Sequence, residues 1–207
     1  MDVWVWPALL GLGLAAATGL RTFLPLLMLS AAAHFELLGT VLNESFAWVG
    51  STGALVALSV ATVVELAADK IPVVDNFLST AGTVTKPIAA MVAAGSVFSS
   101  VDPSTAAIAG LVVGAPTALA FGGAQAGTRA VSTATTGGLG NPVVSTIEDI
   151  ASFVMTLIAF LAPILVPIIV GIGGWFAWKG FRRVRAARRG TPATPAPISG
   201  YPPSAAA

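Results

Sequence analysis

Cysteine is absent from this 207-residue sequence, and histidine occurs once, at His34. Without cysteine the chain has no disulfide framework, no thiolate metal site and no cysteine nucleophile. One histidine is too few for a zinc site of the usual nitrogen and sulfur ligands. That histidine also lies near no candidate nucleophile, so no serine–histidine–aspartate arrangement is readable. We therefore predict neither an enzyme nor a bound cofactor, and the sequence identifies no metal.

Charged residues are also scarce. They make up 9% of the chain, whereas hydrophobic residues make up 56% and the mean hydropathy is +0.88. A soluble domain carries about 25% charged residues. Ten basic and nine acidic side chains cannot cover the surface of a 20.7 kDa globule, which excludes a water-soluble fold. The composition predicts an integral membrane protein whose partner is the lipid bilayer and not a nucleic acid.

Long apolar stretches predict an all-α, polytopic helical bundle, because a spanning helix needs about 20 apolar residues. We expect about five spans, at residues 3–29, 48–68, 75–102, 104–127 and 150–178. The third has a purely apolar part of only 87–100, so it is either a span or a re-entrant segment. The fifth contains Pro163 and Pro167, which predict a tilt or a kink.

The C-terminal region contains a cluster of basic residues. Six of the ten basic residues lie between Lys179 and Arg189, directly after the last apolar stretch. The positive-inside rule then places the C-terminus in the cytoplasm, and five spans place the N-terminus outside. We predict a membrane domain over 1–178, a basic juxtamembrane segment over 179–189 that suits anionic lipid, and a disordered Pro/Ala-rich tail over 190–207. The start has no basic region, so no cleaved signal peptide is expected.

Nine charges remain inside or beside the apolar stretches, and they define the candidate site. They are Arg21, Glu65, Asp69, Lys70, Asp75, Lys86, Arg129, Glu148 and Asp149. An ionised group at the bilayer centre costs at least about 2.5–3.5 kcal/mol. These residues are therefore expected to pair, to line water or to lie near an interface. The acids outnumber the bases by one, which leaves a carboxylate to be solvated, protonated or bound to a cation.

Hydroxyl and carboxylate residues recur at helical spacing in two of the predicted spans. One set is Ser59, Thr62, Glu65 and Asp69, and the other is Ser145, Asp149, Ser152 and Thr156, with Glu148 beside it. If the two faces meet, they form an oxygen-rich site suited to hard cations or protons.

Two further patterns concern helix arrangement. Gly19-Leu20-Arg21 and Gly127-Thr128-Arg129 form a weak internal repeat, which five spans would make an inverted repeat with broken or re-entrant segments. Small residues also recur every fourth position, at Ala106, Gly110, Gly114, Ala118, Gly122 and Ala126. Such faces let helices approach closely, either within one bundle or in a homodimer.

Four motifs resemble a known family. They read Glu65-Leu-Ala-Ala-Asp69-Lys70-Ile71-Pro72-Val-Val-Asp75, Lys86-Pro87-Ile-Ala-Ala, Ala126-Gly127-Thr128-Arg129-Ala130 and Ser145-Thr-Ile-Glu148-Asp149. This set resembles the bacterial integral-membrane family catalogued as domain of unknown function 4126, over roughly residues 10–165. The resemblance implies a multi-span protein of the bacterial inner membrane and implies no particular substrate.

The nine charges lead to two functional hypotheses. The first is a transporter or channel-like protein for a cation, a proton or a small charged solute, with the carboxylates, hydroxyls and basic residues as its site. The alternative is a non-transporting scaffold or accessory subunit whose charges are structural salt bridges. An enzyme acting on lipid is the third hypothesis.

Overall fold

The structure is a computed structural model that describes residues 2–189, except the side chains of residues 2, 72–79, 176–177, 180–181 and 183–189. Within this range the chain is helical and has no strand, which confirms the all-α prediction. The α-helices are α1 (Asp2–Leu20), α2 (Leu24–His34), α3 (Thr52–Ala68), α4 (Pro72–Ser96), α5 (Pro103–Thr136), α6 (Asn141–Leu161) and α7 (Val166–Arg189). Short 3₁₀ helices occupy Leu37–Gly39, Glu44–Gly50 and Pro163–Leu165. The predicted disordered tail over 190–207 lies outside the described residues.

Three of the described helices, α1 from Val3, α5 and α6, are long and apolar enough to cross a membrane. A fourth crossing results if Glu44–Gly50 and α3, which meet at a bend of 63°, are taken as one span. Large apolar side chains face outward, such as Val63 of α3 at 67% exposure and Val112 of α5 at 65%. Such a surface is typical of contact with lipid. The count of five spans stays a prediction.

Two of the predicted spans are divided. The stretch 3–29 is broken at residues 21–23, between α1 and α2, and the stretch 150–178 is broken at 162–165, between α6 and α7. The second break follows from Pro163, because proline disfavours a helical conformation in the residue before it, and Ala162 has φ −146°. In contrast, α4 continues through Pro87, so 87–100 begins inside one continuous helix and not in a re-entrant pair.

Capping residues define both ends of α5. The carboxylate of Asp102 accepts hydrogen bonds from the hydroxyls of Ser104 and Thr105 and from the Thr105 N–H (3.0 Å). These bonds favour the ionised form and lower the pKa of Asp102 below its usual range. At the other end Gly137 has φ 62°, a left-handed conformation that glycine adopts without steric cost. The helix between them has 34 residues.

Small residues bring α4 and α5 into backbone contact. A Cβ atom on Gly110 would lie 2.4 Å from the carbonyl oxygen of Met91, and one on Gly114 would lie 2.4 Å from that of Ala90. Ala118, on the same stripe, is fully buried. Packing within one chain therefore occupies the stripe at Gly110, Gly114 and Ala118, and a homodimer through small-residue faces stays a prediction.

Contacts along the helices define their directions. Gly11 of α1 and Gly110 of α5 both lie against residues 94–95 of α4, and Gly19 of α1 lies against Ala118 of α5. Because residue numbers rise together along α1 and α5, these two helices run in the same direction. The prediction of an inverted Gly-x-Arg repeat is therefore wrong, since both copies lie toward the same end of parallel helices. The predicted broken segments are present, at 21–23 and 162–165.

Helices α1 to α6 alternate in direction, so the connections between them collect at two ends. Residues 21–23, 69–71 and 137–140 lie at one, which we call the Arg21 end. Residues 35–51 and 97–102 lie at the other, which we call the Asn43 end. There the side-chain amide of Asn43 donates to the carbonyl oxygens of Phe98 and Val101, both at 2.9 Å. The candidate site is at the Arg21 end.

The chain forms two compact units, Met1–Gly171 and Ile172–Ala207. In the described part of the second unit, the Lys179 ammonium lies 4.8 Å from the centre of the Trp175 ring. The Arg182 guanidinium lies 4.8 Å from the centre of the Trp178 ring. Such cation–π contacts are suited to an interface where an aromatic ring and a basic group are both partly exposed. The other basic side chains predicted for 179–189 lie outside the described ones.

Candidate functional site

The break between α1 and α2 leaves backbone groups without helical partners, and side chains from two other helices satisfy them. The carboxylate of Glu65, on α3, accepts hydrogen bonds from the N–H of Thr22 (2.8 Å) and of Phe23 (3.0 Å). Gln125, on α5, donates from Nε2 to the carbonyl oxygen of Leu20 (3.0 Å). Unpaired backbone groups are costly away from water. Helices α3 and α5 therefore stabilise the break.

Arg21 lies inside this break and is only 2% exposed. Its guanidinium forms ion pairs with Asp69 through Nη1 and with Asp149 through Nε, the latter at 2.5 Å. Nη2 donates to the carbonyl oxygen (2.9 Å) and the hydroxyl (2.8 Å) of Ser145. A rigid fork of five N–H donors makes arginine suited to several partners at once. One side chain thus connects the break with the end of α3 and the start of α6.

Arg129 of α5 is the second centre of the cluster. Its Nη2 donates to Glu148 Oε2 (2.6 Å) and to Asp69 Oδ2 (3.0 Å), and its Nε donates to Glu148 Oε2 (3.1 Å). Gln125 donates to the same Glu148 oxygen at 2.7 Å. Glu148 Oε2 also lies 3.8 Å from Nη2 of Arg21. The two arginines of the Gly-x-Arg motifs therefore share two carboxylates.

Lys70 closes the cluster on its exposed side. Its Nζ donates to the hydroxyls of Ser145 (3.0 Å) and Thr146 (3.2 Å) and lies 3.6 Å from Asp149 Oδ2. The side chain is 41% exposed, so solvent screens this ion pair. Lys70 belongs to the cluster, but it contributes less to its stability than the buried arginines do.

Six described side chains form a neutral network, which we call the Arg21 network. Its members are Arg21, Lys70, Arg129, Asp69, Glu148 and Asp149. The 18 residues of Val3–Leu20 rise about 27 Å before Arg21 at 1.5 Å per residue. The hydrocarbon layer of a bilayer is about 30 Å thick, so the network lies near one boundary of that layer. Charges are tolerated there at a lower free-energy cost than at the centre.

A cleft with a volume of about 310 Å³ lies beside the network, between the break and helices α3, α4 and α5. Among the described side chains, its charged lining consists of Arg21, Glu65, Asp69, Lys86 and Arg129. Its apolar lining includes Leu20, Phe23, Pro87 and Leu119. Ligand pockets range from about 300 to 1,000 Å³, so this cleft suits a small molecule.

Lys86 differs from the arginines of the cleft. Its Nζ bonds to the side-chain oxygen of Gln125, and no described carboxylate lies within ion-pair distance of it. Its stem lies beside two glycines. A Cβ atom on Gly82 would lie 3.3 Å from Lys86 Cε, and one on Gly122 would lie 3.7 Å from Lys86 Cδ. The glycines leave the space in which the lysine reaches from α4 toward α5.

Most hydroxyls of the two predicted stripes bond to backbone. Ser59 donates to the carbonyl oxygen of Leu55 (2.7 Å), and Ser152 donates to that of Ala17 (3.0 Å). The stripes meet at their ends, where the Ser145 hydroxyl lies 3.4 Å from Asp69 Oδ2. Among the described residues no group of three or more histidine, aspartate or glutamate side chains is arranged to hold a metal ion. The two stripes therefore contact each other only at their ends and do not face each other along their length, as the predicted oxygen-rich site would require.

The structure brings eight of the nine predicted charged residues to the Arg21 end. Six form the Arg21 network, while Glu65 and Lys86 line the cleft beside it. Asp75 lies outside the described side chains. Sequence reasoning missed Gln125, which bonds to Leu20, Glu148 and Lys86. The available signal was that it is the only glutamine of the chain and lies one helical turn before Arg129.

The apolar helices and the buried charge cluster together define a polytopic helical protein of membrane type. The chain belongs to the family described as a domain of unknown function, DUF4126, whose model matches residues 8–183. This range includes every residue of the Arg21 network and the cleft, and it confirms the resemblance in the sequence motifs. Comparisons with curated proteins and with solved structures return no match.

Proposed function

We propose that this chain is a small transporter or channel-like membrane protein that passes a small charged solute through the cleft beside the Arg21 network. The observation that carries the proposal is Lys86, a cation that lines the cleft with the neutral Gln125 as its hydrogen-bond partner. A charged group without a counter-ion is costly at membrane depth, and such groups typically mark ligand or ion pathways.

The helix break beside the cleft supports the same proposal. Irregular backbone at membrane depth occurs where it is buried in protein or lines a cavity. In secondary transporters, substrate sites are typically formed by such discontinuous helices. Leu20, Thr22 and Phe23 belong to this break and also line the cleft. A solute in the cleft would therefore contact backbone that lies outside a regular helix.

The orientation that we propose has the Arg21 end in the cytoplasm of a bacterial inner membrane. In the first unit the basic residues lie at or near that end, whereas Glu36, Glu44 and Asp102 lie at the Asn43 end. The positive-inside rule then supports a cleft that opens toward the cytoplasm. The C-terminal basic segment would lie in the cytoplasm by the same rule, where Lys179 and Arg182 could contact anionic lipid.

Solute flux into proteoliposomes tests this function. Vesicles with and without protein would be compared for uptake of protons, potassium, chloride, phosphate and glycine. We expect at least one probe to move faster with protein. If that probe carries a negative charge, as chloride, phosphate and glycine do, Lys86→Met should slow it about tenfold or more, because a charge-assisted contact is lost. Lys179→Met is the matched control, since Lys179 lies in the second unit and does not line the cleft, and it should keep the wild-type rate. Equal flux in the presence and absence of protein for all five probes would contradict the proposal.

A second candidate is a non-transporting scaffold or accessory subunit. The observation that favours it is the neutrality of the Arg21 network, in which each arginine is shared between at least two carboxylates. Structural salt bridges require that every buried charge has an oppositely charged partner, and this network meets that requirement. The flux experiment separates the two candidates, because a scaffold would pass none of the probes.

A further inference from the structure

We infer that the ligand of the cleft is zwitterionic, with an ammonium group held by Glu65 and an oxyanion held by Lys86. The inference rests on the proposed function in that both place a solute in the same cleft. It names the chemical class of the ligand, which that proposal leaves as any small charged solute. The argument depends on which charges in the cleft already have partners.

Of the five charged residues that line the cleft in the described part of the chain, three are neutralised within the Arg21 network. Arg21 and Arg129 both contact Asp69, and each reaches a further carboxylate. The two that remain are Lys86 and Glu65, which have opposite signs. Neither has an oppositely charged group within ion-pair distance among the described side chains.

Both remaining groups have unused bonding capacity. An ammonium group has three N–H donors, and Lys86 uses one of them on Gln125. An ionised carboxylate has about four acceptor sites, and Glu65 uses two of them, on the N–H of Thr22 and of Phe23. A ligand oxyanion can therefore join Lys86, and a ligand ammonium can join Glu65, without displacing a bond that stabilises the helix break.

A third polar group points to a ligand independently of the charges. Thr22 lines the cleft and is only 4% exposed. Its backbone N–H bonds to Glu65, whereas its hydroxyl forms no hydrogen bond with any described residue. The hydroxyl oxygen is not among the fully buried atoms that lack a partner, so it keeps some accessible surface where the residue lines the cleft, and a ligand there can reach it. A ligand oxygen or nitrogen in the cleft would supply the missing partner.

Electrostatic balance favours a zwitterion over a simple ion. A monovalent anion at Lys86 would leave Glu65 unneutralised beside it, and a monovalent cation at Glu65 would leave Lys86 in the same position. A ligand with both charges satisfies both residues at once. The apolar walls from Leu20, Phe23, Pro87 and Leu119 lower the local dielectric constant, which strengthens both contacts.

Two sources offer this chemistry at the depth of the cleft. One is a free solute of the amino-acid type, and the other is a lipid headgroup with a primary ammonium and a phosphate. The test uses protein purified in detergent and freed of lipid, with calorimetric titration of glycine, acetate and methylamine. A second arm compares retention of phosphatidylethanolamine and of phosphatidylglycerol from mixed vesicles.

For the free solute we expect glycine to bind about tenfold or more tightly than either singly charged analogue. Glu65→Gln, whose amide oxygen can still accept from the break, should make acetate bind as tightly as glycine. Lys86→Met should do the same for methylamine, and Lys179→Met, a change in the second unit that does not touch the lining of the cleft, should leave all three affinities unchanged. Because Glu65→Gln affects the helix break, Thr22→Val provides a milder variant that should weaken glycine about two- to tenfold at an unchanged melting temperature.

For the lipid source, preferential retention of phosphatidylethanolamine that Lys86→Met abolishes supports the inference. The inference is overturned if acetate or methylamine binds wild-type protein as tightly as glycine, or if neither glycine nor phosphatidylethanolamine binds. Glycine binding without flux of any probe would remove the transport proposal and leave this inference standing. Flux of phosphate or potassium without binding of glycine or phosphatidylethanolamine would remove this inference and leave the transport proposal standing.

Discussion

Arg21 connects the helix break between α1 and α2 with residues at the end of α3 and the start of α6. It is the only guanidinium in the first unit that lies in a helix break, and it contacts Asp69, Asp149 and Ser145 while almost fully buried. A buried ion pair contributes little net stability over an apolar replacement of the whole group. Loss of one partner is a different matter, because it leaves the other charges buried and unpaired.

We therefore predict that Arg21→Met lowers the free energy of unfolding by about 3–5 kcal/mol. The measurement is reversible unfolding in mixed detergent micelles. Lys70→Met is the control from the same network, and it should cost no more than about 1 kcal/mol, because that side chain is 41% exposed and its ion pair is screened. Similar losses in the two variants would show that burial of the arginine does not determine the stability of the network.

At the scale of the helices, the network depends on the close approach of α4 and α5. Gly110 and Gly114 let the backbone of α5 lie against the carbonyl groups of Met91 and Ala90. The same approach sets the distance across which Lys86 reaches Gln125. The small-residue stripe that the sequence shows is therefore the element that positions the cleft.

Gly114→Ala should destabilise the bundle by about 1–3 kcal/mol. The added methyl would lie 2.4 Å from the Ala90 carbonyl oxygen and 2.6 Å from its carbon, so backbone must move. Gly123→Ala on the same helix is the matched control, since nothing lies within 4 Å of its Cβ position. That change should be neutral or should stabilise the helix by up to about 1 kcal/mol. Thermal unfolding in detergent distinguishes them, and equal melting temperatures would contradict close packing at Gly114.

At the scale of the whole molecule, the arrangement of the helices gives the two ends of the first unit different charges. Acids without basic neighbours collect at the Asn43 end, and the basic residues of the first unit collect at the Arg21 end. This asymmetry is the basis for the orientation that we propose. The sequence also offers a simple way to test it, because the chain contains no cysteine.

Single cysteines should report the two ends separately. Ser45→Cys lies at the Asn43 end, and Leu139→Cys replaces a residue that is 87% exposed at the Arg21 end. With a membrane-impermeant maleimide on intact cells, we expect labelling of Ser45→Cys alone, and labelling of Leu139→Cys after lysis. Wild-type protein is the unlabelled control. The opposite pattern would place the cleft on the outside.

The sequence predicted the helical class and the set of charges well, and it predicted their arrangement poorly. The length of the apolar stretch was sufficient to predict α5. The same criterion predicted α1 and α2 as one span, because it did not detect the break at 21–23. Hydrophobicity does not report where a backbone leaves the helix, since Thr22 and Phe23 are compatible with a continuous apolar stretch. The break depends on acceptors from Glu65 and donors from Gln125, which lie far away in the chain.

The sequence by itself determined that the protein is surrounded by lipid and which charged residues are available to form a site. A chain with 9% charged residues cannot present a polar surface to water, and its few charges must be paired or must bind something. Only the tertiary structure decided which charges pair. It joined Arg21 and Arg129 to shared carboxylates and left Lys86 and Glu65 facing one cleft. The physical reason is that ion pairing depends on distances of a few ångströms between helices, and the sequence alone does not contain those distances.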